Sequence, residues 1–173
     1  MRAAEAFADT GEVTITVEAG DWADLVPDFD RRIPLTIAAA LEAACPGVEP
    51  AGIAVILTDD RAIQDLNRLW RDQDKPTNVL SFPTTDVAEG DRPVPTVPGM
   101  PLELGDIVLA FETCRREAGP EPSAFARHLD HLVVHGVLHL LGYDHVLDDA
   151  AERMEDLERQ VMASLGHPDP YAA

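Results

Sequence analysis

Hydrophobic and polar positions change period several times along the chain, and each change marks an element. Residues 12–18, EVTITVE, alternate β-branched with polar or small side chains, which predicts a half-buried strand. An acidic, proline-containing connection follows. In 33–44, Ile33, Ile37 and Leu41, with Ala40 and Ala44, recur on one side of a helix that stops before Pro46-Gly47. The run 52–58, GIAVILT, is apolar on both alternating faces, the pattern of a central strand covered on each side. Thr58, Asp59 and Asp60 offer capping oxygens to a helix with Ile63, Leu66 and either Leu69 or Trp70 inward. Residues 77–82 have the content of a strand, with Pro76 and Pro83 as stops. Residues 86–101, rich in Pro, Gly, Asp and Glu and without period, predict a long surface loop.

Residues 104–110, LGDIVLA, read as another strand, 111–118 as a short helix, and Gly119-Pro120 as a break. Pro122-Ser123 starts a helix with Phe125, Leu129, Leu132 and Val133 on its apolar side. Gly136 inside that helix is less favourable than alanine by about 1 kcal/mol, which implies close approach by a neighbouring strand or by substrate. Residues 148–165 form a last helix, acidic in its first turn, with Met154, Leu157 and Val161 inward and Gly166 as its stop. There is no internal repeat and no nucleotide-binding glycine loop. Elements alternate early and become helical late, which predicts one α+β domain over residues 1–173, with a mixed sheet of about four strands.

At 173 residues and 46% hydrophobic, the chain can build one sizeable core. No apolar run is long enough to span a bilayer. The start, MRAAEAFADTGE, has neither a basic n-region nor an apolar h-region, so a cytoplasmic protein without a membrane partner is expected. Cys45 and Cys114 lie far apart with no CxxC, which fits a reducing compartment and two small buried hydrophobes. The net charge is −19, from 32 acidic and 13 basic residues, and composition alone argues against a nucleic-acid partner. Acids crowd into 21–30 and 148–158, however, while Arg68, Arg71 and Lys75 sit together. A small positive groove on an acidic body is therefore compatible with the sequence.

The stretch 131–145, HLVVHGVLHLLGYDH, holds the strongest chemical pattern. His135 and His139 stand at i and i+4, about 40° apart around a helix axis and about 6 Å along it, so both imidazoles leave one face. Gly142 can take the left-handed conformation that ends a helix and returns the chain, bringing His145 toward the same point. Three neutral imidazoles can hold one borderline-soft cation. One Zn2+ per chain is the first expectation, with a position left for water as in catalytic zinc. His128 lies about 10 Å from His135 along the axis, too far to share the ion. A His131–His135 pair has suitable spacing, but only the His139 end has Gly142 and His145 beside it. A core helix whose histidines are merely hydrogen-bonded or exposed is the alternative that needs no metal.

A three-histidine zinc site lowers the pKa of its water to about 7 and polarises a carbonyl or phosphoryl oxygen, so hydrolysis is the expected reaction class. Metallopeptidases with HExxH place their general base directly after the first histidine, and here that place is Gly136. Its absence weighs against peptide hydrolysis, where the leaving group must receive a proton. It weighs less against a phosphodiester, where cations carry more of the catalysis. Arg71 is then the natural second participant, because a guanidinium holds two phosphate oxygens at once. It can equally be a solvated cation at a helix C-terminus. Lys75, Thr77 and Asn78 divide in the same way between phosphate contacts and turn residues. Asp144 can orient a ligand, act as a base, or bond structurally at its turn. Activated water and the substrate's own 2′-OH both remain open as nucleophile, and a cyclic 2′,3′-phosphate product would mark the second.

The segments NRLWRDQDKPTNVLSFP, LELGDIVLA, HGVLHLLGYDH and MEDLERQVMASLGHPDPY together resemble the YbeY family of bacterial rRNA maturation factors, over about 12–171. The resemblance implies a zincin-like fold with a metal site at the end of a central helix, and a single-strand-specific, metal-dependent endoribonuclease. It implies zinc on His135, His139 and His145, and a catalytic or RNA-binding arginine at Arg71. It further implies maturation of the 16S rRNA 3′ end and ribosome quality control, with the rRNA precursor, the ribosome and small-subunit assembly proteins as partners. Two rivals keep the metal: a zincin-like metallopeptidase, and a non-catalytic ribosome-associated module whose zinc, closed by a fourth protein ligand, stabilises the C-terminal half.

Overall fold

The computed structural model describes residues 12–48 and 51–172. Strand β1 (Val13–Val17) leads through a helical turn, α1 (Trp22–Leu25), into helix α2 (Phe29–Ala44). There follow β2 (Ala51–Thr58), α3 (Asp60–Arg71), β3 (Val79–Pro83), β4 (Leu102–Ala110), α4 (Phe111–Ala118), α5 (Pro122–Leu140) and α6 (Asp148–Ser164). The strands form one mixed sheet ordered β1-β2-β4-β3. Strands β1, β2 and β4 are parallel, and β3 runs antiparallel to β4. The expected α+β class and four-stranded mixed sheet are both present.

Alternation along the strands decides what each face meets. Ile53, Val55 and Leu57 of β2 and Leu104, Ile107 and Leu109 of β4 are buried with Ile33 and Ile37 of α2 and Val133 and Val137 of α5. Each such side chain contributes about 1.5–3 kcal/mol when fully buried. The opposite face carries a smaller cluster of Ile63, Leu80, Val108 and Ala110, with Ile56 and Phe82 beside it. Strand β2 is therefore covered on both sides, as its unbroken apolar run implies, but more thinly under α3.

Helix α5 lies close on β4 because Gly136 faces Ile107. A Cβ at Gly136 would stand 2.9 Å from Ile107 Cγ2, so the neighbouring strand accounts for this glycine. Ser81 of β3 donates to the Gly136 carbonyl at 3.1 Å, which bonds sheet and helix at the same residue. Strand β4 bulges where its pairing with β2 shifts: Gly52 faces Glu103, but Ile53 faces Gly105. Gly105 has φ 142°, and a side chain there would run into the Phe82 carbonyl.

Several elements differ from their predicted limits. Helix α2 begins at Phe29 rather than 33, and α1 lies within the supposed connection. There Trp22, 1% exposed, packs on Phe111 and Phe125 with ring centroids 5.3 and 5.8 Å away. Trp22, Leu25, Val26 and Phe29 recur at i, i+3, i+4 and i+7, a helical signal that the acids and Pro27 set among them obscure. Strand β3 starts at Val79 rather than 77 and runs through Pro83, which an edge strand admits. Strand β4 starts at Leu102 rather than 104. Neither Leu69 nor Trp70 turns inward; they are 73% and 66% exposed. Asn67 takes the inner place and donates to the Lys75 carbonyl at 2.9 Å. Leu69 and Trp70 instead line an open groove of about 780 Å³ with Ile56, Phe82 and Val108 of the sheet, and Trp70 stands edge-on to Phe82 with ring centroids 6.3 Å apart.

Asp59 caps α3 as expected, accepting from the Ala62 amide at 2.9 Å. The predicted loop at 86–101 carries neither helix nor strand. Arg92 secures it to the Pro46 and Gly47 carbonyls, and an ion pair joins its Glu89 to Arg153 of α6. Cys45 and Cys114 are buried free thiols, and burial, reinforced by the Glu117 charge, pushes the Cys114 thiol up. Among the described residues no helix is long and apolar enough to cross a membrane.

Candidate metal centre

The last turns of α5 and the reversal after it bring three histidines together. His135, His139 and His145 each offer a ring nitrogen, all lying within 4.8 Å of one another. The reversal is a Schellman motif. The Tyr143 amide donates to the Leu138 carbonyl at 3.0 Å and the Gly142 amide to the His139 carbonyl at 3.1 Å, with Gly142 at φ 91°. A Cβ on Gly142 would strike the Val87 carbonyl, so both backbone conformation and space require glycine. His145, exposed beyond the turn, has its ring centroid 5.4 Å from that of His135 and 5.2 Å from that of His139.

The far side of two rings is already committed. His139 Nδ1 donates to the Tyr143 carbonyl at 2.9 Å and His135 Nδ1 to Glu158 Oε1 at 2.6 Å. Because a carbonyl and a carboxylate only accept, both rings carry hydrogen on Nδ1, and each Nε2 is turned toward the other ring. The two Nε2 atoms stand 2.9 Å apart, an approach that lone pairs tolerate only with a proton or cation beside them. A set of imidazoles without thiolate suits a borderline divalent ion. Burial, then the neighbouring His135 and His145, hold the His139 pKa down to about 4, and the Arg71 charge adds to this. His139 is therefore neutral, as a ligand must be, across the physiological range.

Glu158 of α6 was not foreseen from the sequence. It is 0% exposed. Burial alone would raise its carboxyl, but the combined pull of His131, His135 and Tyr171 outweighs burial and holds it at about 2. The short contacts are from His135 and Tyr171; His131 Nε2, at 3.6 Å from Oε1, is beyond hydrogen-bond reach. In sequence α6 reads as an amphipathic helix with Met154, Leu157 and Val161 inward, which gives a glutamate at 158 no reason to be buried. Yet Glu158 follows Met154 by one turn and precedes Val161 by another, on the stripe that packs inward.

Arg71 ends α3, exposed, just before Asp72 turns the chain in the left-handed conformation at φ 56°. Among the described residues it has no acidic partner within 4.0 Å, and its charge is felt at His139. Lys75 is exposed as well. Asn78 is committed to the fold: its amide donates to Glu117 at 3.0 Å and its Oδ1 accepts from the Val79 amide at 2.7 Å. Asp144 accepts from the Val146 amide at 2.8 Å, the turn role among those offered for it. His128 pairs with Glu117 at 2.7 Å, outside the histidine trio. Among the described residues no fourth Asp, Glu, His or Cys joins that trio. The place of a metallopeptidase general base, Gly136, faces Ile107 in the sheet.

The family model described as Endoribonuclease YbeY matches residues 28–166. A protein named Endoribonuclease YbeY from Paramagnetospirillum magneticum is 46% identical over 162 residues, covering 94% of this chain and 96% of that protein. Another of the same name from Bradyrhizobium diazoefficiens is 53% identical over 146 residues, covering 84% of this chain and 78% of that protein. The solution structure of TM1509 from Thermotoga maritima is 23% identical with a TM-score of 0.46, covering 94% of this chain and 100% of that one.

Proposed function

The chain belongs to the endoribonuclease YbeY family, and we propose on that footing that it cleaves single-stranded RNA with one Zn2+ held by His135, His139 and His145 and with Arg71 on the scissile phosphate. It is an endoribonuclease of rRNA processing that hydrolyses phosphodiester bonds and uses a metal. Its substrate is the 3′ region of the 16S rRNA precursor. Its partners are the ribosome and small-subunit assembly proteins, and its compartment is the cytoplasm.

The observation that carries the metal assignment is the commitment of each Nδ1 of His135 and His139 to a pure acceptor, which leaves both Nε2 atoms to share one cation. When bound, a divalent ion supplies Lewis-acid polarisation and acidifies water. The chain's own residues supply the rest. The Tyr143 carbonyl and Glu158 keep two rings in the ligating tautomer. Arg71, without an acidic partner among the described residues, offers its planar fork to two phosphate oxygens. With a net charge of −19, a rigid duplex would meet repulsion along its length, whereas one flexible strand can reach Arg71 and Lys75 through a short contact.

The test is cleavage of a single-stranded RNA and its duplex by the purified full chain, with zinc, with chelator, and as His139→Ala or Arg71→Ala. Circular dichroism verifies each variant's fold. Cleavage of the single strand should be lost with chelator and in His139→Ala, and should fall about 100-fold or more in Arg71→Ala. Cleavage that survives chelation or His139→Ala would overturn the metal assignment, and hydrolysis of an unstructured protein instead of RNA would restore the peptidase.

A further inference from the structure

The residues after α6 turn back onto the metal centre rather than away from it. His167 Nε2 lies 2.7 Å from Asp130 Oδ2 on α5, and Asp169 pairs with Arg159 Nε at 3.3 Å. Asp169 Oδ1 also accepts from the Tyr171 amide at 2.8 Å. The Arg159 guanidinium covers the Tyr171 ring, 5.2 Å from its centroid, and the same ring stands edge-on to His131 at 5.5 Å. So held, the Tyr171 hydroxyl donates to Glu158 Oε2, the oxygen that His135 does not use.

That division of Glu158 between two donors has a competitor. His131 Nε2 is buried without a hydrogen-bond partner and lies 3.6 Å from the oxygen that His135 Nδ1 reaches at 2.6 Å. A buried carboxylate turns toward whatever donors saturate it. With Oε2 anchored by Tyr171, Oε1 is aimed at His135. Without that anchor, a small rotation would satisfy His131 at the expense of His135, which would lose the acceptor that keeps its hydrogen on Nδ1.

We propose that Tyr171 is a positioning residue of the metal centre: its hydroxyl fixes the Glu158 carboxylate so that Glu158 serves His135 rather than His131, and the C-terminal tail thereby sets how firmly the metal is held. The inference rests on the metal assignment above. Tyr171 is not one of the three histidines that would hold the metal, and its hydroxyl reaches the site through Glu158.

Zinc affinity, measured in the full chain by competition with a chromophoric chelator, tests it in wild type, Tyr171→Phe, Glu158→Gln and the double variant. Loss of an outer hydrogen bond to a ligating histidine weakens binding about 10- to 100-fold. Glu158→Gln should fall in that range, and Tyr171→Phe should weaken binding about tenfold. The double variant should be no weaker than Glu158→Gln, because both changes act along one path. In the metal-free chain, the 15N shifts of the His135 ring should report a single Nδ1–H tautomer in wild type and a mixture in Tyr171→Phe. Unchanged affinity in Tyr171→Phe, or strictly additive losses in the double variant, overturns the proposal. If Glu158→Gln does not fold, the Tyr171→Phe affinity and 15N spectrum decide alone. A wild-type chain that binds no zinc fails the metal assignment itself, a result distinguishable from failure of the tail's role.

Discussion

Replacing Gly136 by alanine sets two effects of known size against each other on the helix that carries His135 and His139. Helix propensity alone favours alanine by about 1 kcal/mol. Against this, the new methyl would lie 2.9 Å from Ile107 Cγ2, 3.1 Å from Cδ1 and 3.3 Å from Cγ1. Ile107 cannot swing into solvent, since it is wholly buried on β4, and overpacking of this kind costs about 1–3 kcal/mol. The expected net effect is a destabilisation of up to about 2 kcal/mol, a fall in Tm of several degrees at about 2–4 °C per kcal/mol for a chain of this size. Endoribonuclease activity should fall too, because α5 must shift from β4 with His135 and His139 on it, and catalytic groups must be held within about 0.5 Å of their productive positions. Ile107→Ala should cost about 2–5 kcal/mol alone but less in the presence of Gly136→Ala, whose methyl partly fills the space. Thermal melts of the four proteins complete the cycle. If Gly136→Ala raises Tm, propensity has won and the helix is not seated on Ile107 as described; strict additivity of the two changes would say the same.

Asp130, buried on α5, accepts from Arg32 at 2.6 Å and Thr36 at 3.1 Å and faces His167 at 2.7 Å. Asp130→Asn should therefore destabilise by about 2–3 kcal/mol, less than a fully buried pair because Arg32 is partly exposed, as read from the urea midpoint. Glu158, with its carboxyl held at about 2 against an ordinary 4.5, contributes stability that is complete above pH 4.5 and drains away as pH falls toward 2. Melts of the metal-free chain should show that acid loss in wild type and a flatter limb in Glu158→Gln; equal slopes would refute the assignment.

The sheet order β1-β2-β4-β3 and the unequal cover of its two faces were beyond periodicity, which reports which residues pair with a partner layer but not which layer arrives. Leu69 and Trp70 illustrate the limit. Their spacing on α3 is that of inward positions, yet both stay largely exposed along a groove, Trp70 touching the sheet edge-on at Phe82, and Asn67 is the residue that is buried. Trp22 is the converse case: it shares a short helical stripe with Leu25 and Val26, but its ring partners, Phe111 and Phe125, come from far along the chain and only the fold brings them to it.

The histidine trio was legible because it is local. Two histidines one helical turn apart and a third behind a left-handed glycine depend on 3.6-residue geometry and one backbone reversal, both written in 135–145. Glu158, Tyr171 and Asp130 depend on where α6 and the tail come to rest against α5. A carboxylate on an acidic amphipathic helix looks the same in sequence whether water or an imidazole faces it. Folding distinguishes them, since only packing removes the water and makes a specific donor the charge's remaining stabilisation.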